Sequence, residues 1–118
     1  MPAPSQLAIA TASLNRLVRE EASYHKESQH QQDRIFKLET GGNGDDENAE
    51  YTLKQERKAL EETKAVMPQL KQKIEEAKAK LEGQLEQDKG PGDQSSSEDI
   101  TKAKQAVAAA LAAIRETS

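Results

Sequence analysis

Hydrophobic residues recur every seven positions through the middle of the chain. The series consists of Leu53, Leu60, Met67, Ile74 and Leu81, joined three residues later by Thr63, Leu70 and Ala77. This is the a/d heptad pattern of a long helix that presents one apolar stripe to partner helices. Pro68 interrupts the series without shifting its register and falls at position b, away from the stripe. The pattern therefore predicts one helix over about 49–88 that is bent at Pro68, where a backbone hydrogen bond is lost.

A second heptad stripe runs through the N-terminal part of the chain. Its members are Leu7, Ala10, Leu14, Leu17, Glu21, Tyr24, Ser28, Gln31, Ile35 and Leu38. The two ends of this stripe are apolar and its middle is polar. Ser5 is a suitable N-cap, and the glycines from Gly41 onwards end the pattern because glycine enters left-handed conformations at little cost. The pattern predicts a helix over about 5–39.

The two connectors also carry helix-start signals. Asp45, Asp46 and Asn48 are candidate caps for the second helix. Residues 89–97 read KGPGDQSSS, a linker composition whose serines lead into a third helix. Ser95 has capping-box spacing to Glu98, and Ser97 is an equally good cap. The third helix is predicted over about 98–116, with an apolar face made of Ile100, Ala103, Val107, Ala110, Leu111 and Ile114.

The three predicted helices differ in length. At 1.5 Å per residue, the first two measure roughly 50–57 Å and the third about 30 Å. Because short connections make neighbouring helices antiparallel, we expect an all-α, elongated antiparallel three-helix bundle that forms a single domain over 1–118. The third helix then lies beside Leu7–Leu17 and Leu70–Leu85, and Tyr24–Leu38 pairs with Tyr51–Met67 as a two-helix stem.

Composition and charge narrow the function classes. Hydrophobic residues make up 34% of the chain and aromatic residues 3%, which is too little bulk for a β-sandwich. The absence of cysteine excludes disulfides and thiolate metal sites and fits an intracellular protein. The net charge of −4 is concentrated in the acidic connectors, and no basic face predicts nucleic-acid binding. The longest apolar run, Ala106–Ile114, is too short to span a membrane.

Few residues in the sequence are arranged as a catalytic or metal-binding site would require. His25 and His30 lie five residues apart, which does not place two metal ligands on one helical face. No serine or histidine stands beside an orienting group, so we predict no catalytic residue, no metal site and no cofactor. A charged stripe on the outer face of the first helix and the apolar Phe36 outside its seam are open to two interpretations: a solvated surface or a partner contact.

Three blocks of sequence carry a resemblance to a known family. The first reads Arg16-Leu17-Val18-Arg19-Glu20, followed by Tyr24, Lys26-Glu27 and a Gln/His-rich run into Ile35. The second contains Tyr51, Gln55, Leu60, Glu62-Thr63-Lys64 and Met67-Pro68, and the third is the Lys/Glu-rich pattern through Leu81 and Leu85. In their order and spacing, these blocks resemble the tubulin-folding cofactor A family, the tubulin-specific chaperones.

The resemblance implies a monomeric or homodimeric three-helix bundle in the cytoplasm, associated with the cytoskeleton. It implies capture of β-tubulin after release from the cytosolic chaperonin, and handover to later tubulin-folding cofactors for αβ assembly, without enzymatic activity. Matched residue by residue, the candidate β-tubulin contacts are Arg16, Arg19, Glu20, Lys26, Glu27, Phe36, Tyr51 and Lys64. The residues alone leave one alternative open, a generic coiled-coil scaffold or adaptor that self-associates through the stem.

Overall fold

Three α-helices make up the computed structural model, which describes residues 5–41, 48–87 and 96–116. Helix α1 spans Gln6–Glu39, α2 spans Ala49–Gln87 and α3 spans Ser97–Glu116. The described ranges contain no strand. The helices bury a shared apolar core, so the predicted all-α three-helix bundle is confirmed. Helix α3 has 20 residues against 34 and 39 for the other two, so it is the shortest helix, as predicted.

The helices pack as two compact units. Unit one holds the described residues up to Glu20 and from Leu70 onwards, and unit two holds Glu21–Gln69. All three helices contribute to unit one, but only α1 and α2 contribute to unit two, as the unequal helix lengths predicted. Helix α1 passes from unit one to unit two and α2 passes back, so the two helices are antiparallel. The organisation of 1–118 as a single domain stays a prediction.

Helix α2 continues through its proline. Pro68 is exposed within the uninterrupted helix, at the position that the heptad count placed away from the seam. Because Pro68 has no N–H, the carbonyl of Lys64 one turn earlier loses its donor, and on this exposed face water can replace it, which lowers the cost of the missing hydrogen bond. The bend at this residue stays a prediction.

The core of unit one combines large side chains from α1 and α2 with alanines from α3. Its buried members are Leu7, Leu14, Ile74, Leu81, Ala103, Ala106 and Ala110. The predicted apolar face of α3 was wrong at one edge, because Leu111 is 37% exposed while Ala106 is buried. Leu111 lies about 80° around the helix from Ala103, at the margin of the stripe. The small alanine at 106 allows α3 to approach its neighbours closely on the opposite margin.

Side-chain and glycine signals define the helix ends. The backbone N–H of Ala8 donates to Ser5 Oγ at 3.0 Å, which confirms Ser5 as the cap of α1. Gly41 follows α1 with φ +83°, the left-handed conformation expected there. Asn48 occupies the position before α2, and its carbonyl accepts from the Thr52 N–H at 2.8 Å. The other candidates in this connector, Gly42, Gly44, Asp45 and Asp46, lie outside the described residues.

The cap of α3 differs from both predicted candidates. The backbone N–H of Asp99 donates to Ser96 Oγ at 3.1 Å, so Ser96 is the N-cap and α3 begins at Ser97. Ser97 lies inside the first turn, and Ser95 lies outside the described residues. Ser5 Oγ in turn donates to Asp99 Oδ2 at 3.0 Å, joining the start of α1 to the start of α3 within unit one. This cross-helix bond favours the register in which Asp99 is the third residue of α3.

Gly83 offers a test of helix energetics within α2. A Cβ built at this position meets no atom within 4 Å, so no packing constraint requires glycine. Glycine in a helix interior costs about 0.5–1 kcal/mol relative to alanine. We expect Gly83→Ala to raise the free energy of unfolding by about this amount, measured by urea denaturation followed by circular dichroism. Gly41→Ala is the opposite control, since its φ of +83° strains alanine and lowers stability. A destabilised Gly83→Ala protein would contradict the expectation.

Candidate partner-binding surface

The eight candidate contact residues are all exposed, and they divide between the two units. Arg16, Arg19 and Glu20 lie on α1 in unit one. The unit-two members are Lys26, Glu27 and Phe36 on α1 and Tyr51 and Lys64 on α2. The heptad explains the exposure, because each residue lies outside the a and d positions of its helix.

The unit-one set is a small group of exposed charges. Arg16 Nε lies 4.0 Å from Glu20 Oε1, with side chains 71% and 48% exposed. An exposed i,i+4 pair of this kind contributes only about 0.3–0.5 kcal/mol. Arg19 has no carboxylate partner among the described residues. Both arginines can therefore pair with carboxylates of another protein at little energetic cost.

One member of the unit-two set is involved in intramolecular ion pairing. Glu27 Oε1 accepts from Arg34 Nη2 at 3.4 Å, and the same guanidinium donates through Nε to Glu56 Oε1 on α2 at 3.1 Å. The second helix-to-helix pair, Arg57 Nη2 to Glu39 Oε2, measures 2.6 Å. These contacts hold α1 against α2 in unit two. Glu27 therefore has a structural partner that sequence reasoning did not identify, since its link to α2 runs through Arg34.

Lys26, Lys64, Phe36 and Tyr51 are the unit-two candidates without such a network. Both lysines lack an ion-pair partner within the described part of the chain. Phe36 and Tyr51 are each 65% exposed. Aromatic side chains with this exposure supply large contact areas to a partner at low conformational cost. They are the strongest apolar contact candidates in unit two.

The seam of unit two is only partly buried. Tyr24, a member of the α1 stripe at a d position, is 37% exposed. Leu53, Leu60 and Met67 are half-buried, although they continue the stripe that buries Ile74 and Leu81 in unit one. The physical reason is that each helix in unit two has only one neighbouring helix, which covers one side of its stripe. Tyr24 therefore packs only in part.

Buried polar groups lie in the same seam. Glu21, Ser28, Gln31 and Thr63 are buried, as their a and d positions indicated. Glu21 Oε2 lies 2.5 Å from His25 Nε2, one helical turn away, and Gln32 Nε2 donates to Ser28 Oγ at 3.0 Å. His25 is thus half-buried against a carboxylate, whereas His30 is exposed. Sequence spacing of four residues was the available signal for the Glu21–His25 contact.

Two other kinds of site are absent from the described residues. No group of three or more histidine, cysteine or acidic residues in these ranges is arranged to hold a metal ion. Among the same residues, no helix combines the length and apolar character needed to cross a membrane. The exposed charged and aromatic side chains are therefore the features from which a binding surface can be argued.

Comparison with known proteins gives a consistent result along nearly the whole chain. The family model for tubulin binding cofactor A matches residues 2–107. The tubulin-specific chaperone A of Saccharomyces cerevisiae is 34% identical over 108 residues, covering 92% of each protein. The proteins of that name from Mus musculus and Homo sapiens are each 32% identical over 88 residues, covering 75% of this chain and 77% of theirs. No solved structure gives a significant match. The match over residues 2–107 shows that this chain belongs to the tubulin binding cofactor A family.

Proposed function

We propose that this chain is a tubulin-folding chaperone that captures β-tubulin downstream of the cytosolic chaperonin. It holds that subunit in the cytoplasm before αβ-tubulin assembly and passes it to later tubulin-folding cofactors. The observation that carries the proposal is the family match over residues 2–107. It is supported by the yeast relative, a tubulin-specific chaperone to which 92% of this chain aligns.

The surface chemistry supports a binding protein that also releases its partner. The candidate contacts combine exposed charges of both signs, Arg19 and Glu20 for example, with the exposed rings of Phe36 and Tyr51. Charge complementarity at the edge of an interface orients a partner and accelerates association more than it raises affinity. Aromatic side chains supply the buried contacts that hold it. A holding chaperone requires this combination because its client must later leave.

A charge-reversal variant tests the proposal. Arg19→Glu combined with Lys26→Glu is expected to weaken capture of β-tubulin by about tenfold, equivalent to about 1.4 kcal/mol of binding free energy. Both side chains are exposed, so helicity measured by circular dichroism should not change. Capture is measured as co-elution with purified β-tubulin on a sizing column over a range of concentrations, with purified α-tubulin as the test of subunit preference.

A matched control separates a specific contact from a general charge effect. Lys58→Glu combined with Lys104→Glu makes the same change in net charge at two other exposed positions, one in each unit. This control should bind β-tubulin like the wild-type protein. Wild-type binding by the Arg19/Lys26 variant would show that the chosen residues are wrong. A wild-type protein that self-associates and does not hold β-tubulin would favour the scaffold alternative.

A further inference from the structure

A shallow groove lies between α1 and α2 in unit one. Its floor is formed by Ala10 and Ala77, both half-buried, and Ile9 forms an apolar wall that is 53% exposed. The remaining lining side chains are polar or charged. With one alanine on each helix among the lining residues, another helix has room to approach the backbones of α1 and α2 closely, as in helix-in-groove recognition.

Positive charge distinguishes this groove. Lys80 is the charged residue among its lining side chains, and no described carboxylate pairs with it. Lys73 lies seven residues earlier, on the same face of α2, and is likewise exposed without an ion-pair partner in the described ranges. On α1, Arg16 lies seven residues after Ile9, on the same face of the helix. It forms a weak ion pair with Glu20. The groove itself is therefore lined by one cation, Lys80, and further cations lie two turns away on each of its helices.

An unsatisfied polar atom lies in the same groove. Gln84 Oε1 is buried and accepts no hydrogen bond from any described group. Buried polar atoms without a partner are uncommon because each costs about 1–3 kcal/mol. If the Gln84 side chain turned towards the groove, a donor on a docked partner would reach this oxygen.

The other two grooves of unit one have a different charge character. The groove between α1 and α3 contains Lys102, which is paired with Glu98 at 3.1 Å, and Asp99, which accepts from Ser5. The groove between α2 and α3 carries the acids Glu82 and Glu86 beside one lysine. Unpaired positive charge next to an alanine floor is thus a property of the α1–α2 groove.

We propose that the α1–α2 groove of unit one binds an acidic amphipathic helix of the tubulin client. The inference rests on the proposed function and names the chemistry of the recognised segment. An apolar side chain of that helix lies over Ala10 and Ala77 beside Ile9. Carboxylates on its flank pair with Lys73 and Lys80, which are about 10 Å apart along α2. A helix with acidic residues two turns apart beside its apolar stripe meets both requirements.

The test uses the full chain with two substitutions in the groove. Ile9→Glu combined with Lys80→Glu places one carboxylate beside the client's apolar side chain and another where the client's acids would lie. Both positions are exposed, and circular dichroism verifies folding. We expect capture of purified tubulin to weaken at least tenfold, and wild-type affinity to fall with added salt. Ala108→Glu combined with Lys104→Glu makes the same changes of residue class on exposed positions of α3 and should bind like the wild type.

A peptide experiment tests the charge preference directly. A labelled Leu/Glu amphipathic helical peptide should bind the wild-type protein in fluorescence anisotropy, and a Leu/Lys peptide of the same length should not. Equal binding of both peptides, or preference for the lysine peptide, would overturn the inference.

The remaining outcomes separate the inference from the function on which it rests. If the wild type and the Ile9/Lys80 variant capture tubulin equally, the groove is not the contact, while the proposed function stands. If the wild type captures no tubulin, the proposed function fails and the client assignment fails with it. If sedimentation shows self-association that the Ile9/Lys80 variant abolishes, a second copy of the chain occupies the groove and the acidic-helix inference is wrong.

Discussion

Leu81→Ala is expected to lower the free energy of unfolding by about 3 kcal/mol. The Leu81 side chain is completely buried, in a core that also contains Leu14 and Ile74. Truncation removes the transfer free energy of the buried atoms and leaves a cavity. The fully buried α3 residues of this core are alanines, whose single methyl group has no rotamer that can fill the space, and the larger α3 side chains pack only at its margin. The cost should therefore lie well within the 2–5 kcal/mol range seen for leucine truncation, a large share of the total stability of a small domain.

A leucine-to-alanine substitution in unit two provides the comparison for this expectation. Leu60 occupies the corresponding heptad position of α2 but is only half-buried. Leu60→Ala should cost about half as much, because less apolar surface is lost and water already reaches the site. Urea denaturation monitored by circular dichroism measures both variants. Equal losses would contradict the assignment of the dense core to unit one.

His25→Ala is expected to destabilise the protein by about 1–2 kcal/mol. The imidazole Nε2 lies 2.5 Å from Oε2 of Glu21, whose side chain is 5% exposed. Removing the histidine leaves a buried carboxylate without this partner, and unsatisfied buried polar groups carry a desolvation penalty. The His25 side chain is 40% exposed, so water can replace part of the lost hydrogen bond and keep the effect at the lower end. His30→Ala, at an exposed position, is the matched control and should be nearly neutral.

A double-mutant cycle isolates this interaction from other effects of the substitution. In a Glu21→Leu background the carboxylate is absent, so His25→Ala should cost much less than it does in the wild type. The leucine also restores an apolar residue at a core a position, which should offset the loss of the hydrogen bond. Identical costs of His25→Ala in both backgrounds would show that the histidine acts through packing and not through Glu21.

The fold could be predicted from the sequence because its heptad repeat of hydrophobic residues is regular. Leu53 through Leu81 recur at intervals of seven, and this spacing specifies both a helix and the face that it buries. The stop at Gly41 was predictable too, because it rests on one residue's own backbone preference. The cap at Ser96 was harder to predict, because each of the three consecutive serines has a side chain suited to cap a helix. Packing of α3 and the Ser5–Asp99 bond select among them.

The candidate surface was predictable in one respect only. Positions outside the heptad stripe are exposed, so the outward placement of Arg19, Lys26 and Phe36 could be inferred from spacing. The involvement of Glu27 in the network through Arg34 and the cationic groove around Lys80 could not. Each depends on which residues of a distant helix lie opposite.

The sequence alone therefore determined that three helices form, where most of them end, and which stripe of each turns inward. These properties depend on residues within a few turns of one another along one helix. Only the tertiary structure decided how completely each stripe is covered, and it left the seam of unit two half-buried. It also decided which charges are paired, because an ion pair between helices requires a register that no local interaction specifies.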